Sequence, residues 1–256
     1  MSAFKDAVTN NYYELRQYVS NSDLGSLDKV LTLTKPLEGI QKIYDFGNLV
    51  DAMKTEREKL NHDDKTVTDD GGRVMTFTDE EWEKAQLMTE ALDAHPFLSK
   101  IITDRMKFQY VILREQFEIE WQGIKIKMPM RCKFDGLEPG VIALDIKTTG
   151  CTTQKQFVES IFHFCYDRQG ALYMDMARVD RMIYAGVSKV INRITKKHEV
   201  FIFMIERGDK TYLSGKRKYS FLGTRYYYLL HSLDTHLLTI SIKSDERTTD
   251  QTRYAF

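Results

Sequence analysis

The sequence predicts an α/β protein, of the α+β kind, in which a helical N-terminal arm precedes three strands, a long helix and a further strand. Three observations predict this class. Polar turns separate helical segments in the first hundred residues, apolar and polar residues alternate from Phe108, and a helical period followed by an apolar run occupies Lys155 to Ile205. We expect a helical N-terminal region, residues 1–106, packed on a core, residues 107–256.

The first region contains one clear helix and one polar segment. Thr78-Asp79-Glu80-Glu81 is a capping-box pattern and predicts a helix that continues to about Asp93. Asn61 to Arg73 contains two Asp-Asp pairs and Gly71-Gly72. We expect this segment to be an exposed loop whose acidic residues are solvated and hold no metal.

The strands begin with a hairpin. Phe117 to Trp121 and Ile124 to Met128 alternate in polarity around the turn Gln122-Gly123. A third strand, Val141 to Thr148, follows the turn sequence Glu138-Pro139-Gly140 and is expected to return antiparallel.

The remaining elements are a helix and a strand. Helical spacing of apolar residues predicts a helix from Lys155 to about Gly186, bent near Asp167 to Gly170. The apolar run Val200 to Ile205 predicts a buried strand, and Tyr226 to Leu230 favours a helix. The rest of the segment from Ser220 to Phe256 gives no clear pattern.

Composition limits the class of protein. The 256 residues are 42% hydrophobic and 12% aromatic, which allows a sizeable core. The 37 basic and 37 acidic residues cancel, so any contact with nucleic acid must be local. The spacing of the three cysteines matches no zinc or iron–sulfur pattern. The sequence also lacks a long apolar segment of the kind that directs secretion or membrane insertion, so we expect a cytoplasmic protein.

Two carboxylates and a lysine form the candidate site. Asp145 and Lys147 project to the same side of one strand because side chains alternate between faces. Asp135 is expected to close the preceding strand, which brings both carboxylates to one end of the sheet. Alternatively, Asp135 belongs to an ordinary turn and Lys147 faces solvent.

A hard cation would resolve the repulsion between these carboxylates. Mg²⁺ held by Asp135, Asp145 and the backbone carbonyl of Ile146 would do so, while Lys147 could position and help to deprotonate a water for attack on phosphorus. Tyr166, Gln169 and Tyr173 share one face of the following helix, an arrangement that ordinary helix packing also explains.

Three motifs carry a family resemblance: Phe134-Asp135-Gly136, Ala143 to Thr149, and Tyr166-x-x-Gln169-x-x-x-Tyr173. Together they resemble the PD-(D/E)xK nucleases, and most closely the RecE-type, exodeoxyribonuclease VIII-like exonucleases of phages and prophages. The match covers roughly residues 130 to 175, with looser similarity at Val19 to Leu24 and Phe46 to Asp51.

The resemblance implies a restriction-endonuclease-like αβββαβ core and roles for individual residues. It implies that Asp135 and Asp145 are metal ligands and that Lys147 is the catalytic lysine. It also implies residues that contact the DNA backbone or support the site, namely Gln169, Tyr173, Tyr166 and Thr148. Asp51 stands where relatives commonly have a histidine that reaches the metal. An aspartate is a harder ligand that can also bind Mg²⁺, and a helix-surface role for Asp51 stays open.

The resemblance also implies a cofactor and partners. These are Mg²⁺, with Mn²⁺ as a substitute, and double-stranded DNA, degraded from the 5′ end to leave a 3′ strand for a single-strand annealing protein. It implies a homo-oligomer in the cytoplasm of a bacterial or phage-infected cell. An endonuclease with the same metal centre is one alternative, and a non-catalytic DNA-binding protein, which would have no need of an intact carboxylate pair, is another.

Basic residues concentrate late in the chain. They could follow DNA phosphates or form a solvated face, and the sequence alone does not decide between the two. No phosphate loop and no His-Glu-x-x-His motif occurs, so ATP hydrolysis and a zinc hydrolase have no support. The basic residues are Lys189, Arg193, Lys196, Lys197, His198, Arg207, Lys210, Lys216, Arg217 and Lys218.

Overall fold

The computed structural model describes residues 5–6, 12–35 and 39–250, with side chains for residues 12, 14–35 and 39–232. The ends of both expected regions, residues 1–4 and 251–256, therefore lie outside the described residues. The elements in chain order are β1 (Lys5–Asp6), α1 (Asn21–Leu31), α2 (Ile40–Thr55), β2 (Leu60–Asn61), β3 (Thr66–Thr68), β4 (Val74–Thr76), α3 (Asp79–Asp93), α4 (Leu98–Ile101), β5 (Lys107–Trp121), β6 (Ile124–Glu138), β7 (Ile142–Thr149), α5 (Gln154–His163), α6 (Tyr166–Ala177), β8 (Arg181–Ile191), β9 (His198–Glu206) and α7 (Lys210–Asp250).

A mixed six-stranded sheet organises the molecule. Its strand order is β1-β5-β6-β7-β8-β9, and β7 and β8 are parallel while the other neighbours are antiparallel. This sheet, with helices on both faces, confirms the α/β class. Within the described residues, every helix is too short or too polar to cross a bilayer.

Each face of the sheet has its own apolar core. On one face, buried side chains of α2 and α3 pack on β7 and β8, with Leu49, Met88, Leu144 and Ile183 fully enclosed. On the other face, α5, α6 and α7 cover β5 and β6, with Phe157 among the enclosed side chains. The sheet is therefore buried on both sides along β7, the strand that carries Asp145 and Lys147, and along its neighbour β8.

Several sequence expectations are confirmed. The hairpin turns at Gln122-Gly123, where φ is 49° and 79°, so both central residues have the left-handed conformation that suits a two-residue turn. Helix α3 begins with the capping box of Thr78 and Glu81. The segment Tyr226 to Leu230 is helical, within α7.

The prediction of one helix from Lys155 to Gly186 is wrong in its second half. It breaks at Cys165, where φ is 54°, somewhat before the bend expected near Asp167. It ends at Ala177, and Arg181–Ile191 is the strand β8. An apolar run buried on both faces has no alternation, so its sequence resembles that of a buried helix. The strand at Val200 to Ile205 exists, as part of β9, but β8 lies between it and β7.

Two further expectations need correction. Asp135 does not close its strand, because β6 continues to Glu138 and the turn follows there. The segment Asn61 to Arg73 is not simply an exposed loop, since it contains β3, which pairs with β2 and β4 in a small second sheet. Asp70 is mostly enclosed and forms ion pairs with Lys59 and Lys133, so it is not a solvated turn residue.

Candidate active site

The candidate site lies where β6 and β7 separate. The two strands pair at Gly136 with Leu144 and at the two positions nearer their turn, and the ladder then stops. One further step of the same register would place Asp135 opposite Asp145. The Asp135 carboxylate instead accepts a hydrogen bond from the backbone amide of Ile146, with 2.6 Å between Oδ2 and N.

Gly136 keeps the two strands close at this point. A Cβ atom there would lie 2.8 Å from Met106 Sδ and 3.3 Å from Leu144 Cβ. A larger residue would push β6 away from β7 or displace Met106. The Asp-Gly pair is therefore explained by strand packing next to the site, not by a turn.

Lys147 lies between the carboxylates and an aromatic ring. Its ammonium forms an ion pair with Asp145 and lies 5.2 Å from the centre of the Tyr166 ring. Burial lowers the pKa of Lys147, but Asp145, Tyr166 and Asp135 outweigh burial and raise it above its ordinary value. In the protein without a metal, Lys147 is therefore a cation and not a base.

Gln169 fixes the orientation of Asp145. Its Nε2 atom donates a hydrogen bond to Asp145 Oδ1 over 2.7 Å. Asp145 is only 4% exposed, and its Oδ2 atom is the one that forms the ion pair with the Lys147 ammonium. Gln169 thus contacts the site directly, and in the protein without a metal each oxygen of Asp145 has one partner, Gln169 or Lys147.

The two tyrosines of the motif lie behind the polar groups. Tyr173 is 7% exposed and its ring centre lies 4.9 Å from that of Phe134, the residue before Asp135. Tyr166 stacks on Tyr184 with centres 5.6 Å apart. These rings support the strands that carry the carboxylates. Tyr173 is mostly enclosed, which favours the supporting role over a contact with DNA.

Asp51 reaches the site from the opposite side, on helix α2. Removal of its carboxylate from water raises its pKa well above the ordinary value, and the charges of Asp135 and Asp145 raise it further while Lys147 opposes them. Thr148 lies against the same helix, because a Cβ on Gly47 would be 3.7 Å from its Oγ1 atom. The fold therefore brings Asp51 near the carboxylate pair.

Asp135 also has a raised pKa. Burial, followed by the charge of Asp145, raises its pKa to about 7, against the lowering influence of Lys147 and the Ile146 amide. Near neutral pH Asp135 is therefore protonated part of the time. A bound cation would take the place of this proton.

Comparison with known families identifies the chain. A sequence profile described as "PDDEXK-like domain of unknown function (DUF3799)" matches residues 28–226. The chain belongs to this PDDEXK-like family. The match includes all of the motif residues and most of the N-terminal region, and it confirms the resemblance to PD-(D/E)xK proteins. A comparison with curated proteins finds no significant match.

Comparison with solved structures gives several similar chains. A candidate exonuclease from Eubacterium rectale has a TM-score of 0.53 at 16% identity, over 87% of this chain and 85% of that chain. An alkaline exonuclease from Laribacter hongkongensis has a TM-score of 0.38 at 14% identity, over 91% of this chain and 100% of that one. A phage-related exonuclease from Haemophilus somnus 129PT has a TM-score of 0.36 at 12% identity, over 82% and 94%. The first likeness shows a common fold.

The PDDEXK-like site has donors that suit a hard divalent cation. In the described part of the chain no group of three or more His, Cys, Asp or Glu side chains is already arranged as a metal cage. Mg²⁺ does not require one, because it keeps several waters and binds through one or two carboxylates and substrate phosphates. The carboxylates of Asp135 and Asp145 meet this requirement.

Sequence reasoning missed a charged network beside the site. Lys133 Nζ donates to Asp70 Oδ2 over 2.8 Å, and Lys59 forms ion pairs with both Asp70 and Glu56. This charged network, Glu56, Lys59, Asp70 and Lys133, joins the end of α2 and the β3–β4 turn to β6. Lys133 lies two residues before Asp135, on the same face of β6. In the sequence, only this spacing indicated that Lys133 lies near the site.

Proposed function

We propose that the protein is a Mg²⁺-dependent DNA exonuclease that hydrolyses the phosphodiester bonds of duplex DNA. The observation that carries the proposal is the meeting of Asp135 and Asp145 where β6 leaves β7, with Lys147 paired to Asp145 and Gln169 bound to it. A half-buried carboxylate pair is costly to maintain in a protein that only binds DNA.

Asp135 and Asp145 would hold the Mg²⁺ ion, with Asp51 and the carbonyl of Ile146 as further ligands. When bound, the ion supplies polarisation of a phosphoryl oxygen and a lower pKa for a coordinated water. Mn²⁺, which takes similar oxygen ligands, is the expected substitute. Gln169 holds Asp145 in its ligating orientation through the hydrogen bond to Oδ1.

Lys147 donates hydrogen bonds to the attacking water or to a phosphoryl oxygen. Its raised pKa keeps it charged while the neighbouring carboxylates are ionised, so it stabilises the negative charge that develops on phosphorus. It could take a proton from water only after the carboxylate charge beside it has been neutralised. Tyr166, beneath the ammonium, limits the positions that Lys147 can adopt.

Exonuclease action is preferred to endonuclease action because of the resemblance to RecE-type enzymes and the fold shared with a candidate exonuclease. On the same basis we propose digestion from the 5′ end, a homo-oligomer, and a single-strand annealing protein as partner. An endonuclease with the same centre is the second candidate, since the carboxylates and the lysine are equally suited to it.

Linear and circular DNA substrates distinguish exonuclease from endonuclease action. Linear duplex and covalently closed circular duplex are incubated with the protein and Mg²⁺, and the products are resolved on agarose. We expect loss of the linear DNA alone, at a rate abolished by EDTA. Nicking of the closed circle would contradict exonuclease action and support the second candidate.

Variants assign the chemistry to residues. We expect Lys147→Ala to reduce cleavage of linear duplex by roughly a thousandfold, because one preorganised charge contributes about that much at a phosphoryl or acyl centre. Asp51→Ala should raise the Mg²⁺ concentration needed for half-maximal rate. Lys155→Ala, on the exposed side of α5, is the control. Unchanged cleavage by Lys147→Ala, or an unchanged Mg²⁺ requirement in Asp51→Ala, would remove the corresponding role.

A further inference from the structure

Two lysines converge on one aromatic ring beside the candidate site. The Nζ atom of Lys84, on α3, lies 5.9 Å from the centre of the Phe46 ring, and the Nζ atom of Lys189, on β8, lies 5.3 Å from the same centre. Their like charges interact, since burial and then the charge of Lys84 lower the pKa of Lys189. The ring, which attracts cations only weakly, does not neutralise two of them.

Neither lysine has a carboxylate partner among the residues with described side chains. Lys54, Lys59 and Lys133, in the same half of the molecule, each form an ion pair with an acidic side chain. Lys84 and Lys189 form none, although both are only half exposed. Two partly buried like charges without a counter-ion are costly, and an anion between or beside them would lower that cost.

A buried histidine lies near the two lysines. His198 is 6% exposed, and its Nδ1 atom lies 2.8 Å from the carbonyl oxygen of Ser188. Its Nε2 atom is buried without a hydrogen-bond partner. Burial lowers the pKa of this ring, and the charge of Lys84 lowers it further against the influence of the Ser188 carbonyl.

The lysine pair lies at the same edge of the sheet as the candidate site. Strands β7 and β8 are parallel, and Ser188 pairs with Thr149, two residues beyond Lys147. Lys189 is the next residue. On α2, Phe46 precedes Asp51 by five residues, which is about 7.5 Å of helix. A DNA strand with its reacting phosphate at Asp51, Asp135 and Asp145 would have a neighbouring phosphate near the two lysines.

The positive charge continues beyond the pair, into the turn between β8 and β9. Arg193, Lys196 and Lys197 are all exposed there and form no ion pair with a described side chain. Ile194, between them, is 91% exposed. This basic turn, residues 193–197, extends outward from the sheet edge at which Lys189 lies.

We propose that Lys84 and Lys189 together bind a backbone phosphate of the DNA next to the one that is cleaved, and that the basic turn extends this contact along the duplex. The proposal rests on the proposed function and names the part of the surface that holds its substrate. Phosphate contacts of this kind are independent of base sequence and fix the position of the strand. They would hold a phosphodiester in register with the carboxylate pair.

The test measures DNA binding without cleavage. Fluorescence anisotropy of a labelled duplex of about 30 base pairs is recorded in the Lys147→Ala background over roughly 50 to 300 mM KCl. We expect Lys84→Ala with Lys189→Ala to weaken binding by about tenfold and to reduce the slope of log affinity against log salt by about 1 to 2. Replacement of both by arginine should retain the wild-type slope.

The control is Lys125→Ala. Lys125 is exposed, lies 3.5 Å from Glu120, and is ten residues before Asp135 on β6, about 33 Å away along the strand. It should leave affinity and slope unchanged. An unchanged slope in the double alanine variant, or loss of binding in the folded arginine variant, would overturn the phosphate site. Absence of cleavage by the unmodified protein would instead contradict the proposed function, so the two failures are distinguishable.

Discussion

In the protein without a metal, two opposing effects act on the protonation of the Asp135 carboxylate. Its Oδ2 atom satisfies the Ile146 amide, which favours the ionised form, while burial and the charge of Asp145 favour the protonated form and raise its pKa to about 7. Above that pH the folded protein carries repulsion that the unfolded chain does not. This residue therefore links stability, metal binding and pH.

Asp135→Asn is expected to stabilise the metal-free protein at pH 8. The folded pKa of about 7 exceeds the ordinary value of 3.8, so between these values only the folded state holds the proton and stability falls as pH rises. Asparagine retains the acceptor for Ile146 and removes the charge. We expect a gain of about 1 to 2 kcal/mol at pH 8, disappearing by about pH 4, measured by urea unfolding in EDTA.

The matched control is Asp104→Asn at an exposed position of the loop before β5. It should change the free energy of unfolding little at either pH. Mg²⁺ should raise the melting temperature of the unmodified protein at pH 8 but not that of Asp135→Asn. A loss of stability in Asp135→Asn at pH 8 would show that the carboxylate is not destabilising there.

At the level of single residues, the sequence predicted those parts of the site that depend on local geometry. Strand alternation places Asp145 beside Lys147, and helical spacing places Gln169 on the face that meets Asp145. Asp51 came only from the family resemblance. The partners of Lys133 could not be predicted, because Asp70 and Glu56 reach it from elements distant in sequence.

Strand β8 is the element on which the sheet and the site both depend. It pairs in parallel with β7 and places Gly186 beside Lys147. Gly186 faces α5 so closely that a Cβ atom would lie 2.2 Å from Phe157 Cε2. The absence of a side chain at Gly186 lets α5 approach the sheet behind the site.

Gly186→Ala is therefore expected to destabilise the protein by about 1 to 3 kcal/mol, because overpacking moves Phe157 or the strand. Gly150→Ala, with nothing within 4 Å of a new Cβ, is the control and should have little effect. Urea unfolding measures both. Combination with Phe157→Leu should recover part of the loss in Gly186→Ala, and a lack of recovery would count against this contact as the cause.

Elements with strict alternation or a cap were predicted well, and β8 was not. The hairpin and α3 carry their signals locally, in Gln122-Gly123 and in the capping box at Thr78. The boundaries of β8 depend on pairing with β7 and on burial against helices from both sides. Those interactions are not encoded in any short window of sequence.

At the scale of the whole molecule, the N-terminal region and the strand-bearing region share one core. Leu49 and Met88 of the first region pack with Leu144 and Ile183 of the second. The charged network adds ion pairs between Asp70 and Lys133 across the same division. The expected boundary at residue 106 remains a prediction, but the shared core argues that the two regions unfold together.

Differential scanning calorimetry should therefore show one cooperative transition, with equal calorimetric and van't Hoff enthalpies. Leu49→Ala should lower this transition as a whole, with a cost of about 2 to 5 kcal/mol for a buried leucine. Leu33→Ala, at an exposed position, should leave it unchanged. Two separate transitions, with only one shifted by Leu49→Ala, would contradict a shared core.

The early end of the β6–β7 ladder sets a limit on how stable this protein can become. The Ile146 amide, which lies beyond the end of the β6–β7 ladder, donates to the Asp135 carboxylate instead of to the backbone of β6. A substitution that closed the two strands further would complete the ladder and tighten the sheet, but it would also take the amide from Asp135 and close the space between the carboxylates. Selection for stability alone would therefore favour substitutions that remove the site. In a screen for thermostable variants, activity should be lost first through substitutions at this junction.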